Sequence, residues 1–163
     1  MADFATNRSP LPMDERSPQT PPMYQFDIHI QAAPSATEPG EPLLLHGQSW
    51  PTVRLPERAR AHGAATFDDA LAALENLPRV YTEPDGSFLW VGVGKEWQVE
   101  GNLYDRGDEL AYVALKGDCP PDVFDALLRC FGWPQAVMVF QLNREGVYVD
   151  EPTFRVLAER PAK

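Results

Sequence analysis

Residues 63–163 contain no histidine and only one serine, Ser87, although they hold nearly all of the patterned hydrophobic sequence in the chain. That absence removes the imidazole base or ligand and the activated hydroxyl on which most hydrolases and transferases rely. Carboxylates, two thiols, tyrosines and a few arginines remain, and no catalytic residue is assigned. Long apolar runs are missing too. Nothing approaches the ~20 residues needed to cross a bilayer, the longest tight run being 136–140, so no membrane partner is expected. The segment 1–10 lacks the basic patch and apolar run of a signal peptide, and a cytoplasmic location is expected.

Positive charge is scarce. The chain has 14 Lys and Arg against 24 Asp and Glu, a net charge of -10, and 17 of the acids but only 9 of the bases fall in 63–163. Nucleic-acid affinity comes largely from basic side chains displacing counterions, so DNA and RNA are excluded as expected partners. The acidity favours a basic protein or a cation. Cysteine is almost absent: Cys119 precedes a predicted helix and Cys130 sits near its end. Helical rise puts them about 15 Å apart, so both are expected to be free thiols. The sequon Asn7-Arg8-Ser9 has no meaning in that compartment.

Proline, by contrast, is concentrated: ten of the 17 lie in 1–56. A proline- and polar-rich composition buries too little apolar surface to offset backbone ordering, which costs roughly 1–2 kcal/mol per residue. Residues 1–22 are therefore expected to be a disordered tail, 23–62 a proline-rich extension, and 63–163 a stable α+β domain. Within the extension, 24–31 alternates, with Tyr24, Phe26, Ile28 and Ile30 against Gln25, Asp27, His29 and Gln31. This is a half-buried strand, and it must join either the domain's own sheet or a partner's.

Thr66 reads as the N-cap of a first helix, with Asp68 and Asp69 in its first turn, Phe67, Leu71, Leu74 and Leu77 as its apolar stripe, and Pro78 as its stop. Runs 79–83 and 87–93 flank Pro84-Asp85-Gly86, a hairpin signal. A second hairpin joins 96–104 to 109–116 through Asp105-Arg106-Gly107-Asp108. A symmetric register pairs Leu103 with Leu110, Gly101 with Tyr112 and Val99 with Ala114, the tyrosine covering the glycine. The other face then carries Gln98, Glu100, Asn102 and Tyr104 beside Ala111, Val113 and Leu115. A second helix from Pro121 to Gly132 follows, then a central apolar strand at 136–142, a shorter one at 146–150, and a terminal helix from Pro152. Strand runs bounded by helices define a two-layer α+β domain, with a mainly antiparallel sheet of about six strands and helices on one face.

Few motifs carry chemistry. Arg106-Gly107-Asp108 occupies a hairpin turn, and Gly92-Val93-Gly94-Lys95 lacks the glycine spacing, hydroxyl and helix of a phosphate loop. Cys119 stands where a helix N-terminus lowers a thiol's pKa, but no base is near it in sequence, and a structural role is favoured. His29, His46 and His62 match no compact zinc spacing. No cofactor or metal is assigned.

The chain is thus expected to be a small acidic protein-binding module of chaperone, immunity or assembly-accessory type. Its expected interaction surface is Trp97, Glu100, Asn102, Tyr104, Asp105 and Asp108, with a homodimer as one form of partner. The alternative is a carboxylate enzyme or cation binder centred on the 96–116 hairpin through Glu100, Asp105 and Asp108.

Overall fold

A computed structural model describes residues 22–57 and 65–160. The expected tail therefore lies outside the described residues except for Pro22, and so does His62. In chain order the elements begin with β1 (Met23–Ala32), β2 (Glu38–Pro39), β3 (Leu43–Leu45), β4 (Gln48–Trp50), β5 (Val53–Arg54), α1 (Phe67–Glu75), β6 (Val80–Thr82) and β7 (Ser87–Val91). They continue with β8 (Gln98–Arg106), β9 (Glu109–Cys119), α2 (Pro121–Cys130), β10 (Met138–Leu142), β11 (Val147–Asp150), α3 (Glu151–Ala158) and β12 (Glu159–Arg160).

The architecture is α+β with a large antiparallel sheet, but among the described residues that sheet has ten strands rather than about six. Its order is β2-β5-β11-β10-β1-β9-β8-β7-β6, with β12 also paired to β1, while β3 and β4 form a separate hairpin. Three of the added strands, β2, β5 and β12, are two residues long, too short for any hydrophobic period to register. The fourth is β1, which joins the chain's own sheet, between β9 and β10. Burying Tyr24, Phe26, Ile28 and Ile30 while Gln25 and Asp27 stay exposed, it follows the alternation in its sequence.

Local signals set the helix ends. The Thr66 hydroxyl accepts from the Asp69 N–H at 3.0 Å, and the Asp150 carboxylate accepts from the Thr153 N–H at 3.0 Å. Each satisfies a donor that the first turn leaves without a carbonyl. In the first hairpin the Asp85 carboxylate accepts from the Ser87 N–H and hydroxyl, which lower its pKa, and Gly86 takes φ 98°.

The second hairpin departs from the symmetric register. Its turn is shorter, Gly107-Asp108, and a bulge at Tyr104/Asp105 shifts the pairing, so Leu103 faces Val113, Gly101 faces Leu115 and Val99 faces Gly117. Val113 and Leu115 consequently join Val99 and Leu103 in the core, whereas Tyr112 and Ala114 move to the opposite face. The space above Gly101 is filled by the Phe88 ring, not by Tyr112.

The three α-helices of the described residues cover one face. There Phe124 of α2 meets Tyr24, Phe26 and Phe154 at ring separations of 5.6, 5.2 and 5.1 Å, and Phe154 stacks on Phe140 at 4.6 Å. Arg155 of α3 pins the layer at its rim, donating to Glu151 (2.9 Å), Asp125 (2.7 Å) and the Tyr24 hydroxyl (3.2 Å). Burial alone would lower the guanidinium pKa; the bonds to Tyr24, Asp125 and Glu151 outweigh it and the net direction is up.

Candidate functional site

Because β-strand side chains alternate, the face without helices receives Glu100, Asn102 and Tyr104 from β8, Tyr112, Ala114 and Lys116 from β9, and Asp27 and His29 from β1. The register sets them in rows. Glu100, Lys116 and Asp27 lie in line across three strands, and Asn102, Ala114 and His29 form the next line. Tyr104 stands opposite Tyr112 in the third.

Three rings of this face form a ladder. Tyr104 stacks on Tyr112 with centroids 4.5 Å apart and planes 15° from parallel, and Tyr112 meets His29 at 5.0 Å. Tyr104 remains 39% exposed.

Of the six residues expected to form an interaction surface, Glu100, Asn102 and Tyr104 come together here. Trp97 does not: it is buried on the helix side, edge-on to Trp90 at 5.4 Å. Asp105 falls on the other side of the strand from Tyr104, and Asp108 sits in the turn, where its carbonyl accepts from the Phe67 N–H at 3.1 Å and ties the tip to α1. Sequence reasoning missed Tyr112 and Lys116, because the bulge that turns them to this face has no signal in the residue pattern. The alternation around His29 already put that residue on the polar side of β1.

The acids named for a cation or carboxylate site do not converge, since Glu100 and Asp105 project from opposite faces of β8. Among the described residues no group of three or more His, Cys, Asp or Glu side chains is arranged to hold a metal ion. No described helix is long and apolar enough to cross a membrane.

Cys119 and Cys130 are both free and buried. Cys119 ends β9, where burial raises its thiol pKa and the neighbouring Asp118, Asp122 and Asp125 raise it further, the reverse of helix N-terminal activation. Burial pushes the Cys130 thiol up to about 11 from its ordinary 9.0. Both thiols should resist alkylation at pH 8 in the folded protein and react fully in denaturant, as mass spectrometry would record. The sign for stability follows. Above pH 9 the unfolded chain releases thiol protons that the fold retains, so stability should fall as the pH rises from 9 toward 11.

Comparison with protein-family models, with curated proteins and with solved structures finds no match to this chain.

Proposed function

We propose that the chain is a protein-binding module, of chaperone, immunity or assembly-accessory type, that engages its partner through the helix-free face of the sheet. The observation that carries this reading is the ladder Tyr104, Tyr112 and His29, set on the face that no described helix covers. The fold's need for aromatic packing is met on the other face, around Phe124. Tyrosines in such a setting bring contact area with little side-chain entropy to lose, and they dominate the energetics of many interfaces.

Glu100, Asn102, Lys116 and Asp27 surround the ladder with polar groups able to fix orientation. The net charge of -10 favours a basic partner, drawn in by the acidic field. The activity is binding, in the cytoplasm, and requires no cofactor.

The test compares three proteins for capture from the native host: wild type, the pair Tyr104→Ala with Tyr112→Ala, and Cys119→Ser. Wild type and the thiol variant should retain one stoichiometric partner, released by rising salt, and the tyrosine pair should lose it while melting normally. Loss of the partner in the thiol variant alone would replace the binding-face reading with a cysteine mechanism.

A further inference from the structure

Along its strand order the sheet ends at β2 and at β6. β2 is two residues long and carries Pro39, which has no N–H to offer a further strand. β6 has no such guard. Its neighbour β7 is bonded from the Glu83 N–H to the Ser87 carbonyl (2.9 Å) and from the Val91 N–H to the Arg79 carbonyl (3.4 Å). Residues 79, 81 and 83 thus turn their backbone groups inward. Val80 and Thr82 turn theirs outward, where no strand of the described residues meets them.

The side chains of this edge are complementary to themselves. Between Pro78 and Pro84 the chain reads Arg79-Val80-Tyr81-Thr82-Glu83. Turned end for end about Tyr81, that run sets arginine opposite glutamate at both ends and Val80 opposite Thr82. The outward groups demand the same register. In it Val80 and Thr82 exchange both backbone hydrogen bonds, while the two tyrosines form the close pair that is not hydrogen-bonded. Tyr81 is 65% exposed, so its ring is open to such a partner. Arg79 and Glu83 are exposed as well, and among the described residues neither forms an ion pair. Only the Nε of the arginine is engaged, donating to the Val91 carbonyl at 3.1 Å. Glu75, the acid of α1 that reaches this strand, accepts from the Thr82 hydroxyl at 3.2 Å.

We propose that a second copy of this chain pairs β6 against β6, antiparallel about Tyr81, so that two sheets join edge to edge. Arg79 of each copy then faces Glu83 of the other. So short an edge makes the dimer weak and reversible. The contact is separate from the aromatic ladder and does not use it.

Sedimentation equilibrium of the full chain tests the proposal. Wild type should dimerise with a Kd on the order of 0.1 mM. Thr82→Pro, which removes an outward N–H and no backbone bond within the sheet, should stay monomeric. Arg79→Glu and Glu83→Arg each set like charges face to face and should weaken self-association about tenfold or more. An equimolar mixture of those two variants should pair at wild-type strength, because each supplies the charge the other needs. The pair Tyr104→Ala with Tyr112→Ala should dimerise as wild type does. Wild type that stays monomeric up to about 1 mM, a Thr82→Pro chain that dimerises unchanged, or a mixture no stronger than its components would each overturn the proposal. So would loss of the dimer in the tyrosine pair, which would move the contact to the helix-free face.

Discussion

A chain that begins at residue 33 should fail to fold. Without β1, strands β9 and β10 would lose their common partner and the sheet would divide at its middle. The core beneath the helix layer would lose Tyr24, Phe26, Ile28 and Ile30. Truncating one such buried side chain to alanine costs about 2–5 kcal/mol, and a whole domain is typically stable by about 5–15 kcal/mol. Losing four side chains and both ladders therefore exceeds what the remainder can supply. Circular dichroism of the truncated chain should lack a cooperative thermal transition. A sharp transition near that of the full chain would mean that the core is organised without β1.

Phe124→Ala should be the most damaging single substitution, lowering the unfolding free energy by about 3–5 kcal/mol. The ring is fully buried and lies against aromatic side chains from β1, β10 and α3, so its removal opens a cavity that rigid neighbours cannot close. Leu44→Ala is the matched control: Leu44 is 76% exposed and should change stability by less than about 0.5 kcal/mol. Urea denaturation of both variants reads the difference directly. Equal midpoints would contradict the placement of the core.

Features governed by near neighbours in the chain were legible from sequence. The N-cap at Thr66, the turn at Asp85-Gly86 and the start of α2 at Pro121 each depend on residues within a few positions, and the structure retains all three. Features governed by distant pairing were not. That β1 occupies the sheet's middle depends on contacts such as Asp27 with Asn143, 116 residues apart, and no local period encodes them. The 104/105 bulge decides which residues of β9 share a face with Glu100, Asn102 and Tyr104. Alternation along β8 correctly grouped Glu100, Asn102 and Tyr104, but the partner strand was out of register and contributed Val113 and Leu115 where Tyr112 and Lys116 belong. Trp97 was misplaced for a related reason. Lying just before β8, it has no pleat to assign its direction, and a large aromatic there turns inward against Trp90.

The structural role favoured for Cys119 fits its place in the fold, where the final residues of β9 bury it completely beside three carboxylates. Tertiary burial overrode the local helix-end effect.

The central claim is that partner binding uses the helix-free face. Hydrogen exchange of the protein alone and in its isolated complex, read by mass spectrometry at peptide resolution, tests it most directly. Added protection is expected in peptides spanning 100–116 and 27–31, with α2 and α3 unchanged. Added protection confined to the helix layer, with 100–116 exchanging as in the free protein, would contradict it.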